Sequence, residues 1–262
     1  MIIRKSSREL ERMAGAGRVV VEALERLGEA IEPGVTTGEL DAIAEELIRR
    51  RGGVPTFKGY RGFPGSICAS PNSMVVHGIP GSYRLEDGDV ISIDVGVTKH
   101  GFVADSAYTF AVGEVDGETQ RLLEACRDSL DAGVAEAIAG HHVGDISAAV
   151  QQVAEGRGFS VVRSLVGHGV GRSMHEDPQI PNFAGRSPGP ELGIGMTLAI
   201  EPMITAGSAD VFVDEDGWSI YTQDGSLAAH FEHTVAVTED GPRVLTYSER
   251  LAANSPVGSV LR

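Results

Sequence analysis

Cysteines, aromatic residues, basic residues and long hydrophobic runs are all scarce in this sequence. Only two cysteines occur among 262 residues, Cys68 and Cys126, and they form no spacing motif. We therefore expect free thiols in a reducing compartment. The apolar runs are far shorter than the roughly 20 residues of a membrane-spanning helix. The N-terminus enters a charged helical pattern without the apolar region of a signal peptide. These absences predict a cytoplasmic protein that does not bind a membrane.

Basic residues are outnumbered by acidic ones. Lys and Arg total 22 against 37 Asp and Glu, which gives a formal net charge of −15. This balance disfavours a protein whose main function is to bind DNA, although a local basic patch could still make a transient contact with the ribosome. The 42% apolar content is typical of a globular protein with a sizeable core. No additional apolar stripe indicates an oligomer interface, so we expect a monomer.

Helical patterns precede a strand pattern in the first part of the chain. The capping-box sequences Ser6-x-x-Glu9 and Thr36-x-x-Glu39 each open an amphipathic helix. A β-hairpin is predicted at about 90–112, where two apolar alternating segments flank a turn.

The same order recurs in the second part of the chain. GDVISID aligns with GMTLAIE, and the segment that begins GVTTGELDAI aligns with HVGDISAAVQ, at offsets of 107 and 108 residues. The predicted elements are helices near 118–139 and 145–156 and strands at 160–166, 195–205 and 229–238. We therefore predict a single domain, 1–262, built from two related halves at about 1–115 and 116–250, with a shared antiparallel sheet and a short C-terminal tail.

Two aspartates stand out in the predicted hairpin. With a two-residue turn at 100–101, Asp94 pairs with Ala107. Strand alternation then puts Asp94 and Asp105 on one face, among small residues, as diagonal neighbours about 7 Å apart. A buried carboxylate costs several kcal/mol unless it is neutralised, so this pair needs an explanation.

The second half carries equivalent acids. Glu201 and Glu232 lie on the small-residue faces of their predicted strands, without Lys or Arg beside them. A solvated sheet face accounts for a single acid, but four such acids are better explained by divalent cations, which prefer oxygen ligands. His168, between two glycines, is the natural nitrogen ligand of such a site.

These residues carry a family resemblance. The ordered set Asp94, Asp105, His168, Glu201 and Glu232, with the segments VVHGIP, GHGVGRSMHEDPQIPNF, MTLAIEPM and DGWSIYTQDGSLAAHFEHT, resembles the methionine aminopeptidases of type I. The similarity runs from about residue 4 to about residue 247. It implies an α+β, pseudo-symmetric duplicated "pita-bread" fold, with an antiparallel sheet and helices packed on one face. It also implies that the enzyme removes the initiator methionine of nascent polypeptides.

The resemblance assigns a role to each candidate ligand. Asp94 would bind one metal ion, Asp105 and Glu232 would bridge two ions, and His168 and Glu201 would complete the second site. The implied cofactor is a pair of divalent cations, and these donors admit Co, Mn, Fe or Zn.

Substrate contacts are also implied by the resemblance. Glu201 would act as general base, His175 would bind the carbonyl oxygen, and His77 would meet the scissile amide nitrogen. The methionine pocket would be formed by Phe57, Tyr60, Phe63, Cys68, Met174 and Trp218. Phe57, Met174 and His230 replace the cysteine, phenylalanine and glutamine that are common in bacterial relatives, which leaves the pocket shape open.

Two other functions fit parts of the pattern. One is a prolidase-like or Xaa-Pro aminopeptidase on the same fold, although such enzymes usually carry an additional N-terminal domain and differ around GHGVGRSMHE. The other is a catalytically inactive binding protein, although such relatives lose ligands that this chain retains.

Overall fold

The computed structural model describes residues 1–253, which include five α-helices. The helices are α1 (Ser7–Ala30), α2 (Thr37–Arg50), α3 (Gly117–Ala135), α4 (Val143–Gly156) and α5 (Glu249–Ala253). Both predicted capping boxes are confirmed. At the start of α2, for example, the Glu39 backbone N–H donates to the Thr36 hydroxyl, and the Thr36 N–H donates to the Glu39 carboxylate at 2.8 Å.

Fifteen short strands accompany these helices. They are β1 (Val54–Pro55), β2 (Cys68–Pro71), β3 (Met74–Val76), β4 (Val90–Lys99), β5 (Phe102–Ala111), β6 (Ser160–Val161), β7 (Val166–Gly169), β8 (Glu176–Pro181), β9 (Thr197–Ile200), β10 (Met203–Thr205), β11 (Val211–Val213), β12 (Ile220–Thr222), β13 (Ala228–His230), β14 (His233–Thr238) and β15 (Gly241–Val244). The predicted hairpin register is confirmed, because Asp94 pairs with Ala107 and Gly96 with Asp105.

Two antiparallel sheets form the centre of the molecule. In the first, β4 pairs with β5 along one edge and with β1 and β2 along the other. The second has the order β15-β14-β9-β7-β8, and two three-stranded sheets, β13-β10-β6 and β11-β12-β3, flank the centre. The described chain therefore passes twice through two helices and then an antiparallel sheet.

The helices bury their apolar faces against the central strands. Leu24 and Leu27 of α1 pack with Ile91 and Ile93 of β4 in one core cluster. A second cluster joins α3 and α4 to β9 and β14 in the same way. Because the apolar side of each sheet faces its helices, the opposite side is left for the small residues and acids. The predicted α+β fold with helices on one face is confirmed.

Side chains as well as backbone join the two central sheets. The Glu232 N–H donates to the Ala107 carbonyl at 2.9 Å. The Thr234 hydroxyl accepts from the Asp105 N–H at 2.9 Å and donates to the Asp105 carbonyl at 2.7 Å. The prediction of one shared sheet is therefore wrong in detail, because the hydroxyl replaces a continuous ladder at the edge of β5.

Two predicted strands are interrupted at acidic residues. The segment 195–205 divides into β9 and β10 at Glu201 and Pro202, and 229–238 divides into β13 and β14 at Phe231 and Glu232. Proline has no N–H to continue a ladder, which explains the first break. The N–H of Glu232 bonds to the other sheet, which explains the second.

The start of the predicted C-terminal tail is helical. The first residues of the predicted C-terminal tail form α5, and the rest of that tail lies outside the described residues. Among residues 1–253, no helix has both the length and the apolar character required to cross a membrane.

Candidate active site

All thirteen residues predicted to bind metal or substrate line one cavity of about 320 Å³. They come from strands and loops of both halves of the chain. They are Phe57, Tyr60, Phe63, Cys68, His77, Asp94, Asp105, His168, Met174, His175, Glu201, Trp218 and Glu232. The cavity also includes Arg61, Val76, Ser164, Leu165, Val166 and Met203, which the sequence did not indicate.

The four acids line this cavity, and within residues 1–253 no Lys or Arg side chain forms an ion pair with any of them. Asp105 and Glu232 are each only 2% exposed. Asp94, Asp105 and Glu232 each have one buried carboxylate oxygen without a hydrogen-bond partner within residues 1–253. Burial raises the pKa of Asp105 to about 7, and burial together with repulsion from neighbouring carboxylates raises the pKa of the other three. The cluster therefore favours protons or a bound cation.

His168 has the tautomer that a metal ligand requires. Its Nδ1 lies 2.8 Å from the Gly169 carbonyl oxygen, and because a carbonyl only accepts, Nδ1 carries the proton. The lone pair of Nε2 therefore faces the site, 3.5 Å from Glu201 Oε1. Burial lowers the pKa of His168 to about 4, so the ring is neutral. Ligand atoms of Asp105, His168 and Glu232 lie within 4.8 Å of one another.

The glycines beside His168 are required by close backbone contacts. A Cβ at Gly167 would lie 2.4 Å from the Ala199 carbonyl oxygen, and one at Gly169 would lie 2.2 Å from the Asp177 oxygen. The β7–β8 ladder also shifts register between His168 and Gly169. Such an irregularity changes the direction of a side chain, which here brings His168 to the acids.

His175 lies at the mouth of the cavity beside Tyr60. The Tyr60 hydroxyl is 2.9 Å from His175 Nδ1, and with the hydroxyl as donor the ring proton is on Nε2. The ring centroids of His168 and His175 are 4.3 Å apart. Partial burial and, to a smaller extent, the positive charge of nearby Arg61 lower the pKa of His175. With that tautomer, His175 presents an Nε2–H donor beside His168.

His77 is held in a strained backbone conformation. Its φ is +61°, which is uncommon for a residue with a side chain, and the following turn is fixed by the Gly78 N–H donating to the Ser70 hydroxyl at 3.0 Å. Burial lowers the pKa of His77. Its ring stands edge-on to Trp218, with centroids 6.5 Å apart.

An apolar compartment adjoins the acids. Phe63 and Trp218 meet edge to face with centroids 5.2 Å apart, while Cys68, Phe57 and Met174 are buried in the same cluster. Burial and the nearby carboxylates raise the pKa of the Cys68 thiol. The compartment offers aromatic and sulfur surface to an unbranched apolar side chain.

Sequence reasoning missed a buried ion pair behind His175. Lys5 Nζ contacts Glu176 at 2.6 Å, and both side chains are about 95% buried. The Glu176 carboxylate also accepts the N–H groups of Arg172 and Ser173. The segment that carries Met174 and His175 is thus fixed to the N-terminal segment. No local pattern near Lys5 could have indicated this partner.

His230 also lies closer to the acids than the sequence suggested. The sequence marked it only as a departure from the usual residue. Its Nε2 is 3.7 Å from Glu201 Oε2 and, among the described residues, has no hydrogen-bond partner. Burial lowers the pKa of His230 to about 3, so this ring is also neutral.

This fold, with paired acids and a neutral imidazole in one cavity, defines a metal-dependent hydrolase. Residues 11–239 match the model of metallopeptidase family M24. The chain belongs to this family, as the sequence predicted, and the family uses divalent metal.

Characterised relatives agree with that assignment. The chain is 51% identical to methionine aminopeptidase 1 of Bacillus subtilis and 49% identical to the methionine aminopeptidase of Clostridium perfringens. Each match covers 94% of this chain and 99% of the relative. The crystal structure of the Thermotoga maritima methionine aminopeptidase has a TM-score of 0.93 at 42% identity, covering 95% of this chain and all of that one.

A more distant structure shares only the fold. The prolidase of Pyrococcus furiosus has a TM-score of 0.75 at 23% identity, and the match covers 95% of this chain but 66% of the prolidase. The duplicated pita-bread architecture predicted from the sequence is confirmed by these neighbours.

Proposed function

We propose that this enzyme removes the N-terminal methionine of peptides and nascent polypeptides by hydrolysing the first peptide bond. The observation that carries the proposal is one cavity in which acid oxygens without a hydrogen-bond partner among residues 1–253 adjoin an apolar compartment. The names of the relatives, at 49% and 51% identity, support the same activity.

The donor set fits two divalent cations. Asp94 would hold one ion, Asp105 and Glu232 would bridge, and His168 and Glu201 would complete the second site. The fit rests on the buried carboxylate oxygens that have no hydrogen-bond partner within residues 1–253 and on the Nε2 lone pair of His168, which faces Glu201. When bound, such ions polarise the scissile carbonyl and lower the pKa of a water molecule.

The protein side chains then orient the substrate and move protons. Glu201, whose pKa is raised by burial and then by Asp105, would accept a proton from the attacking water and return it to the leaving amine. His175 would donate its Nε2–H to the carbonyl oxygen as negative charge develops there. His77 would contact the nitrogen of the scissile amide.

The apolar compartment would select methionine. A thioether chain suits the aromatic edge formed by Phe63 and Trp218 and the sulfur of Cys68. Phe57, Tyr60 and Met174 would complete its walls.

One assay separates this proposal from its rivals. Purified protein is stripped with a chelator, titrated with Co, Mn, Fe or Zn salts, and assayed on Met-Ala-Ser and on an Ala-Pro peptide. We expect metal-dependent cleavage of Met-Ala-Ser, with release of methionine, and no cleavage of the Ala-Pro peptide. Cleavage of the Ala-Pro peptide alone would indicate the prolidase-like rival. Metal binding without any hydrolysis would indicate an inactive binding protein. Calorimetry of the same titration gives the number of ions.

We propose that the protein acts as a monomer in the cytoplasm and is one domain with two related halves. Free, buried thiols are consistent with a reducing compartment. Only eight large apolar side chains within residues 1–253 are exposed. Light scattering after gel filtration measures the oligomeric state, and cell fractionation measures location.

A transient ribosome contact would use the groove beside α1. This surface groove of about 620 Å³ is lined by Arg8, Arg12, Arg18, Arg51 and Lys99, with a few acids. Local positive charge on an acidic protein favours phosphate backbones. Co-sedimentation with ribosomes should weaken with added salt and in the Arg8→Glu, Arg12→Glu double variant, and binding unaffected by both would contradict the contact.

A further inference from the structure

The backbone of His230 is fixed by a hydroxyl from the other half of the chain. The Thr109 Oγ1 donates to the His230 carbonyl at 2.7 Å and accepts the His230 N–H at 2.9 Å. Thr109 is itself hydrogen-bonded to Ser92 on β4 at 2.8 Å. The backbone position of His230 is therefore fixed both by β13 and by the sheet that contains β4 and β5.

The imidazole of His230 lies behind Glu201. The side chain is 2% exposed, and Nε2 is a buried nitrogen without a hydrogen-bond partner among the described residues. An unpartnered buried polar atom costs about 1–3 kcal/mol, so its position needs an explanation. The polar atom that it faces is Glu201 Oε2, at 3.7 Å.

Glu201 thus has an imidazole opposite each oxygen. Oε1 faces His168 Nε2 at 3.5 Å, and Oε2 faces His230 Nε2 at 3.7 Å. The two rings differ. The Nδ1 proton of His168 is held by a carbonyl, whereas within residues 1–253 the hydrogen bonds of His230 are made by its backbone. His230 is free to carry its proton on Nε2 and to donate it.

We propose that His230 is a positioning residue whose Nε2–H donates to Glu201 Oε2 and holds that carboxylate in its metal-binding orientation. A movement of about 0.8 Å brings the two atoms to ordinary hydrogen-bond distance. The inference rests on the proposed role of Glu201 as a ligand. Glu201 Oε2 then becomes the hydrogen-bond acceptor for Nε2 of His230. The proposal predicts that residue 230 must have an N–H donor on a side chain long enough to reach Glu201, and that it need not have an imidazole lone pair.

Three substitutions separate these properties. His230→Gln keeps an N–H at the reach of Nε2, His230→Asn keeps an N–H that falls short, and His230→Leu fills the space without a donor. Each protein is stripped of metal, checked by circular dichroism and thermal unfolding, and titrated with Mn²⁺ in a calorimeter. Hydrolysis of Met-Ala-Ser is then measured at saturating Mn²⁺.

We expect His230→Leu and His230→Asn to weaken the binding of one Mn²⁺ about 10- to 100-fold, which is the usual effect of removing a partner that orients a metal ligand. The affinity of His230→Gln should stay within about threefold of wild type. At saturating Mn²⁺, kcat should fall in Leu and Asn while KM changes little, because the methionine compartment is untouched. If Leu does not fold, the Gln and Asn pair gives the same contrast.

Two results would overturn the proposal. Wild-type affinity in both Leu and Asn would show that Glu201 needs no donor. Equal loss in all three variants would show that the imidazole itself is required, as a direct ligand would be. Because calorimetry does not depend on peptide cleavage, failure of the proposed peptidase activity would be seen separately, in the wild-type assay.

Discussion

Replacing Asp105 with asparagine should stabilise the metal-free protein although it removes a proposed ligand. Asp105 is 2% exposed, and one of its carboxylate oxygens has no hydrogen-bond partner in the described part of the chain. Burial raises its pKa from 3.8 to about 7. Because burial raises the folded-state pKa, Asp105 does not reduce the free energy of unfolding below about pH 4. The destabilisation develops as the pH rises and is complete above about pH 7.

The size of this loss follows from the pKa difference. About three pKa units at about 1.4 kcal/mol each give a cost of about 4 kcal/mol above pH 7, of which about 3 kcal/mol develops between pH 5 and 8. Asparagine does not titrate and escapes this cost. The buried histidines His168 and His230 have lowered pKa values and change stability in the opposite direction. They are common to both proteins and cancel in the difference.

Urea unfolding followed by circular dichroism tests this reasoning. Wild type and Asp105→Asn are compared at several pH values from 5 to 8 in the presence of a chelator. The variant should gain about 3 kcal/mol relative to wild type across this range. With saturating metal the order should reverse, because metal stabilises the folded wild type. A difference between the two metal-free proteins that does not change with pH would refute the argument.

Three further outcomes are expected. His168→Ala should lower kcat/KM on Met-Ala-Ser by more than about 100-fold with an unchanged circular dichroism spectrum, since a direct ligand matters more than its orienting partners; near wild-type turnover would contradict the ligand assignment. Tyr60→Phe removes the 2.9 Å contact with His175 Nδ1. We expect kcat to fall about tenfold, which corresponds to the loss of one hydrogen bond, while KM stays nearly unchanged. A rise in KM without a fall in kcat would show that Tyr60 contributes only to substrate binding. Cys126 is a buried thiol with a raised pKa, so it should not react with a thiol reagent at pH 8 until urea is added; rapid reaction of Cys126 in the native state would disprove its burial.

The hairpin was predictable because its information is local. Strand alternation and the turn at 100–101 fix the register, and the register alone brings Asp94 and Asp105 to the same face. The conformation at Glu201 was also signalled, since Pro202 cannot continue a ladder, but the apolar pattern on both sides led to a prediction of one strand.

The remaining features depend on distant partners. The break at Glu232 exists because its N–H bonds to Ala107, 125 positions earlier in the chain. The burial of Lys5 likewise depends on Glu176, and the setting of His230 depends on Thr109. Such pairs have no spacing signature, because only the folded chain brings them together. The sequence therefore predicts which residue types are needed, whereas their orientation has to be read from the structure.

The chain contains a single tryptophan, Trp218, and it lines the cavity that holds the acids. Light absorbed at the red edge of the protein spectrum therefore excites only Trp218, whose neighbours include Phe63 and His77. If the peptide binds in this cavity as proposed, we expect its arrival to change the emission of the indole without any attached dye. Stopped-flow fluorescence can consequently time substrate arrival separately from bond cleavage in the unmodified enzyme.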